Sequence, residues 1–401
     1  MKEENLSEIE KISLKIKENG IENIYLNFVD FKGNMRSKLV GVKELINNTH
    51  VSWNDGISIN GKLIKDFENE HNADWLVLLP NAKSFRIIPF LDDDNKSGMI
   101  MCRIKNFSLD TRYLLEKAVY DIENEISAQA IIGSELIYEY VDSEQDYYSS
   151  LPTNQSTKFN NILANYLLQT DIDVEYYMQY GKSHNRIDLV PDIANISADK
   201  LQISKWFLNS LAYKNNVEIK FSNLDNKIIS SCPLHISLWD ENKKNNLFFD
   251  ENDELELSKL AKQFINGILY FHKYIYAICK ITTNQEMLKL IPKASVERDD
   301  SLIMVPLYFK EKQKKDRIGW SKRIIFQGLN SDANHYLAIS AILYAGLYGI
   351  KNNIDENLNY KLEYTNKELY DEIRNNKYFY EKFGIEVSNK IQRKLEEAIN
   401  E

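Results

Sequence analysis

Proline and glycine are scarce, 7 and 14 in 401 residues, where average usage would supply roughly 20 and roughly 28. Tight turns and backbone that approaches a ligand closely depend on these two residues, so an active site built from glycine-rich loops is poorly provided for. Cysteine is rarer still. Cys102, Cys232 and Cys279 lie far apart, with neither CxxC metal spacing nor a disulfide framework, which points to a reducing compartment. Long basic runs are missing: the net charge is −9, and the short mixed-sign run from Lys310 to Lys315 reads as a solvated loop. That excludes a nucleic-acid-binding stripe. No apolar run reaches the roughly 18 residues of a membrane-spanning helix, and the acidic, amphipathic first twenty residues resemble neither a signal nor a transit peptide. The expected setting is cytoplasmic, without a nucleic-acid or membrane partner.

What is present suits a soluble globular chain, with 43% hydrophobic and 27% charged residues. The length allows one large domain or a few ordinary ones. Apolar Leu6, Ile9, Ile12, Leu14 and Ile16 predict a helix over 6–19, ended by Gly20. Residues 24–30 and 35–41 flank Lys32-Gly33-Asn34 and predict a β-hairpin, and 77–90 and 98–104 are further strand segments around an acidic turn at 92–95. Beyond them the pattern predicts helices over 111–127, 197–216, 254–280 and 335–350, the third as one long buried helix. Strands are predicted over 130–141, 233–240, 301–309 and 322–329. Long helices after paired strands imply an α+β layout, antiparallel sheet backed by helices.

Several segments, taken in order, resemble the glutamine synthetase family. Val29-Asp30-Phe31-Lys32-Gly33-Asn34-Met35-Arg36 is similar to the family's vDxxGxxR, and Asn54-Asp55-Gly56-Ile57-Ser58-Ile59-Asn60-Gly61 to its fDGSSIxG. Gly133-Ser134-Glu135-Leu136-Ile137-Tyr138 stands for GxExEF, and Phe264-Ile265-Asn266-Gly267-Ile268-Leu269 for FIxGIL. The run from Arg323 to Leu337 resembles RIExRxxDxxANPYL, and AGLYGI follows in place of AGLDGI. The resemblance implies the glutamine synthetase fold: a β-grasp-like N-terminal domain over 1–105 and a larger catalytic-type domain over 106–401. It also implies an oligomer, either a homo-oligomer ring or a hetero-oligomer with an active family member.

Family chemistry transfers a phosphoryl group from ATP to a glutamate carboxylate, which ammonia then attacks. Mg²⁺ or Mn²⁺, held by oxygen ligands and one His, offsets the crowded negative charge. Carried over residue by residue, only Glu135 remains of six metal ligands; the other five positions are Ile137, Gln179, Arg186, Pro233 and Ile325. Glu139, two residues beyond Ile137 on the same strand face, is the only stand-in. A guanidinium at 186 would repel a divalent cation, so Arg186 is expected to replace the metal by pairing with the carboxylates. Of the remaining elements, His235 matches the nucleotide-contacting His, Lys289 the neighbourhood of a phosphate-binding Arg, and Glu297 and Arg298 the catalytic flap, which is shortened. The phosphate-binding Arg of RIExR has become Gln327. Asp55 matches the acidic residue that reaches a neighbouring subunit's site.

Each of these residues also has a plain reading. Isolated His184 and His235 on half-buried strands suit structural roles, Asp55-Gly56 is a turn signal by itself, and Ser237 lacks the base of a nucleophile. Tyr138, Tyr176, Tyr177 and Tyr180 are expected around the former metal strands, as filling of a disused pocket or as the lining of another ligand site. Two functions follow. In one, the chain has lost ligase chemistry and acts by binding or as a regulatory partner, with no cofactor. In the other, it is an ATP-dependent carboxylate–amine ligase of altered specificity that uses ATP and Mg²⁺.

Overall fold

The computed structural model describes residues 7–46, 51–91, 96–141, 155–179, 183–221, 231–283, 290–296, 301–306, 319, 321–355 and 364–400. It is an α+β protein with two sheets. The first holds β1 (Asn23–Val29), β2 (Met35–Gly41), β3 (Ile57–Ile59), β4 (Leu76–Pro80), β5 (Arg86–Ile87) and β6 (Ser97–Ile104). Its order is β2-β1-β6-β4-β3, with β5 also on β6. The second holds β7 (Ala128–Tyr140), β8 (Val174–Gln179), β9 (His184–Ile193), β10 (Ile219–Lys220), β11 (Leu234–Asp240), β12 (Ile291–Val296), β13 (Ser301–Val305) and β14 (Ile324–Phe326). Its order is β12-β13-β14-β11-β7-β9-β8, with β10 on β7. From β13 through β8 every pair is antiparallel; β12 runs parallel to β13.

The helices are α1 (Glu8–Glu18), α2 (Val42–Ile46), α3 (Thr111–Ile126), α4 (Gln155–Leu168), α5 (Ala194–Lys214), α6 (Lys259–Tyr270), α7 (His272–Thr282), α8 (His335–Lys351), α9 (Asn366–Asn375), α10 (Lys377–Phe383) and α11 (Ile385–Asn400). Their starts are written in the sequence. Ser7 and Glu10 form a capping box on α1, Asp110 caps α3, Ser258 caps α6 and Asn334 caps α8.

The single helix expected over 254–280 is two. Residues 254–257 precede the Ser258 cap, and the axis breaks at Phe271, whose φ of −99° and ψ of 16° leave the helical region. No glycine or proline marks the break. Packing decides it, because Phe271 inserts between Tyr348, Tyr378 and Phe379, with ring centroids 4.9–5.5 Å apart. The 77–90 segment is likewise divided by a 3₁₀ turn at Ala82–Ser84. The acidic turn at 92–95 lies outside the described residues.

The hairpin turn seats the first sheet on α5 and the start of α8. Gly33 has φ +92°, and a β-carbon there would stand 2.7 Å from Asn334 Cα. Only glycine allows both this backbone and this approach. Asn334 Nδ2 donates to the Asp30 and Phe31 carbonyls at 3.3 and 3.0 Å, and Gln202 Nε2 donates to the Gly33 carbonyl at 3.1 Å. Beneath the second sheet, Arg112 of α3 binds Asp199 of α5 through Nε and Nη2 at 2.9 and 2.7 Å, and Tyr336 of α8 donates to the same carboxylate at 2.8 Å. These three helices support the strands that carry the site.

Candidate functional site

A cavity of about 750 Å³ opens on the face of the second sheet. Side chains of a strand alternate between faces, and the alternation is plain in β7: Ala130, Ile132, Leu136 and Tyr138 are buried in the core, while Ile131, Gly133 and Glu135 line the cavity. Arg186 and Asp188 reach it from β9, and His235, Ser237 and Trp239 from β11. Gly133 keeps the floor low, since a β-carbon there would press to 3.1 Å from Pro191.

Glu135 is the hub. Arg186 Nη2 lies 2.8 Å from Glu135 Oε1 and donates to Asp188 at 2.5 Å, with its Nε donating to the other Asp188 oxygen at 2.6 Å. His235 Nε2 meets the same Glu135 oxygen at 2.6 Å, and Arg323 Nε donates to His235 Nδ1 at 2.6 Å. Arginine has no acceptor, so Nδ1 must be the unprotonated nitrogen and Nε2–H the donor to Glu135. Burial pushes the Asp188 carboxyl above its ordinary range, with the Arg186 hydrogen bond opposing and Glu135 adding to the rise.

The positions at which the resemblance implies metal ligands do not fit a divalent cation. Ile325 is buried on β14 opposite His235, the Pro233 carbonyl accepts the Glu135 N–H at 3.1 Å, and Gln179 is buried beside Asn185. Among the described residues no group of three His, Cys, Asp or Glu is placed to hold a metal ion. Glu139 does not line the cavity. It sits half-buried across from His184 with Ser183 Oγ at 3.4 Å, and buried Ile137 separates it from Glu135. Gln327, in the former phosphate-Arg position, donates to the Ser301 carbonyl at 2.8 Å and so serves the sheet.

Asp55 lies at the end of a short π-helical turn, exposed, beside Gly56 with φ +84°; it does not line the cavity of its own chain. Lys289, Glu297 and Arg298 lie outside the described residues, as does Tyr180. Of the described tyrosines among those expected to cluster here, only Tyr176 lines the cavity, half exposed on β8. Tyr138 points to the opposite face, where its hydroxyl donates to Asn160 in a buried network with Ser156 and Asn185. Ser237 Oγ accepts the Trp239 indole N–H at 3.0 Å and thereby orients the ring. Among the described residues, aromatic side chains therefore have not filled the space.

Asp188, Trp239 and Arg323 are the residues that motif comparison missed. Asp188 had a local signal, a carboxylate two residues from Arg186 on one strand face. Arg323 had a motif signal, as the first residue of the RIExR-like run, but its contact with His235 had none, since that partner is 88 residues away.

The sequence profile of the glutamine synthetase catalytic domain matches residues 109–287 and 310–387. The chain belongs to the glutamine synthetase family. Among similar proteins are glutamine synthetases of Archaeoglobus fulgidus, 24% identical across 87% of this chain and 82% of the relative, and of Thermotoga maritima, 26% identical across 86% and 81%. The glutamine synthetase of Pyrococcus horikoshii is 25% identical across 95% of this chain and 84% of its own. No helix among the described residues is long and apolar enough to cross a membrane.

Proposed function

We propose that this chain keeps the glutamine synthetase scaffold without glutamate–ammonia ligase chemistry, and acts by metal-independent binding in the cavity, as a partner or regulatory subunit. The observation that carries the reading is Arg186, whose guanidinium occupies the space between Glu135 and Asp188. Five changed ligand positions support it. Phosphoryl transfer from ATP depends on stabilising developing charge, and losing one such group typically costs about 10²–10³ in rate. Here most of the set is replaced. The same reading places the chain in a homo-oligomer ring or beside an active relative, in the cytoplasm, and requires neither ATP nor Mg²⁺.

The cavity itself favours the second reading, an ATP-dependent carboxylate–amine ligase of altered specificity. It remains open at about 750 Å³, and Lys243, Lys322 and Arg323 join Glu175 and Asp192 in its lining, a mixture of charges that a ligand bearing both signs would match. Calorimetric titration of ATP with and without Mg²⁺, beside a γ-glutamyl hydroxamate assay, separates the two. The first reading expects no turnover and no Mg²⁺-dependent heat; Mg²⁺-dependent ATP binding with turnover establishes the second. Co-purification with an active synthetase would identify the partner role.

A further inference from the structure

Two backbone irregularities each bring an exposed charge to the large cavity, from opposite sides of its floor. On β8, Val174 pairs with Leu189 and Tyr176 with Asp188, so Glu175 is an extra residue, a β-bulge. Neighbours on a regular strand point to opposite faces, yet Glu175 and Tyr176 both line the cavity. In the turn after β11, Lys243 lines it too, with φ +54°. That left-handed conformation suits glycine or asparagine and strains lysine. The turn is held without the lysine side chain. The Lys243 N–H donates to the Asp240 carbonyl at 2.9 Å, and the Lys244 N–H and Asn245 Nδ2 donate to the Asp240 carboxylate at 2.7 and 2.6 Å. Strain of this kind clusters at ligand clamps.

The other charges of the lining are engaged or buried. Arg186 joins Glu135 and Asp188, Arg323 donates to His235, and Asp192 pairs with Lys200 at 2.8 Å. Lys322 is fully buried. Glu175 and Lys243 are exposed, and among the described residues neither side chain enters an ion pair or hydrogen bond. The order β11-β7-β9-β8 puts three strand spacings between the elements that carry them, roughly 14 Å at ~4.8 Å each. Apolar Ile131, Leu189 and Pro191 line the cavity from the two intervening strands. An extended chain gains ~3.5 Å per residue, so one amino acid falls short of this span and about four residues cover it. A nucleotide brings no cation for Glu175, and a polyamine no anion for Lys243.

We infer that the cavity binds a short peptide, its α-ammonium at Glu175, its C-terminal carboxylate at Lys243 and its apolar side chains over the floor between them. The inference rests on the reading of metal-independent binding in this cavity and names the class of ligand.

Saturation-transfer NMR on the full chain in EDTA tests it with tetra-L-alanine, its N-acetyl form, its C-terminal amide and di-L-alanine. Saturable transfer to tetra-alanine is expected, with each capped form weaker by about threefold, the worth of one exposed ion pair, and di-alanine weaker still. Lys243→Met should weaken tetra-alanine by that factor and leave the amide unchanged, and Glu175→Gln should weaken it likewise and leave the acetyl form unchanged. Lys243→Gly should lose as much binding as Lys243→Met while keeping or raising the melting temperature, since glycine relieves the turn. Lys244→Met, on the same turn but outside the cavity lining, should change nothing. The inference is overturned by absence of saturable transfer both in EDTA and with ATP and Mg²⁺, by capped forms that bind as well as the free peptide, or by Lys244→Met weakening binding as much as Lys243→Met. Binding of the free peptide that needs ATP and Mg²⁺ would keep the peptide and overturn the metal-independent reading instead.

Discussion

Arg323 and His235 are joined by a 2.6 Å hydrogen bond from guanidinium Nε to imidazole Nδ1. This one contact fixes the tautomer of His235 and so presents an N–H to Glu135, which already holds Arg186. The carboxylate that the family resemblance makes a metal ligand is engaged from two sides by protein donors.

Replacing the guanidinium by a carboxylate should restore hard-cation affinity. Arg186→Glu places a third carboxylate beside Glu135 and Asp188, a group that repels itself without metal and suits Mg²⁺ or Mn²⁺ with it. Thermal denaturation should show the variant less stable than wild type alone and raised by Mn²⁺, with wild type unmoved. Equal Mn²⁺ responses of the two proteins would refute the substitution of arginine for metal.

The Arg112–Asp199 pair should be worth more to folding than any surface ion pair. Asp199→Ala leaves a nearly fully buried guanidinium, 3% exposed, without its bidentate partner and removes the acceptor of Tyr336. Breaking such a pair costs about 3–5 kcal/mol. Urea denaturation should show a loss of that size; a change under about 1 kcal/mol, the scale of exposed pairs, would contradict it.

Crowding at the α6–α8 crossing predicts severe damage from a single methyl group. A β-carbon on Gly349 would come 2.1 Å from the Gln263 carbonyl, and one on Gly267 would come 2.1 Å from the Ala345 carbonyl. Both neighbours are helix backbone and cannot turn aside. Gly349→Ala should cost at least the roughly 1–3 kcal/mol of core overpacking, read as a lowered melting temperature. A stabilised variant, as helix propensity alone would give, would show that the helices separate freely.

Stability should fall in acid through His272. Burial lowers its pKa from 6.5 to about 4, and its Nδ1 faces the Leu269 carbonyl at 2.7 Å while Nε2 meets the Tyr364 hydroxyl. The unfolded chain takes up this proton near 6.5 and the folded chain only near 4. The contribution is therefore present above 6.5 and is lost as pH falls from 6.5 to about 4. His272→Gln should flatten the melting-temperature profile over that interval relative to wild type. An unaltered slope would assign the acid sensitivity to other groups.

The elements that were legible in the sequence have local causes. The β1–β2 hairpin follows from alternation around Gly33, and α1, α3 and α8 follow from their caps and apolar periodicity. Strands β8 and β9 were not among the predicted strands, because both carry polar residues at the site. The break between α6 and α7 was invisible, since the apolar pattern runs through it and the cause lies in aromatic rings on α8 and α10.

The shortage of glycine and proline took on a definite meaning. Gly267, Gly346 and Gly349 sit where α6 and α8 meet, so part of a small supply is committed to helix packing. By itself the sequence determined the family and the α+β class, because ordered motifs and residue identities are local facts. Only the tertiary structure decided that Arg186 lies on Glu135, that Glu139 stands apart, that Arg323 reaches His235 across 88 residues, and that the cavity stays open. Those outcomes depend on strand register and on which face each side chain takes, and contacts between distant segments fix both.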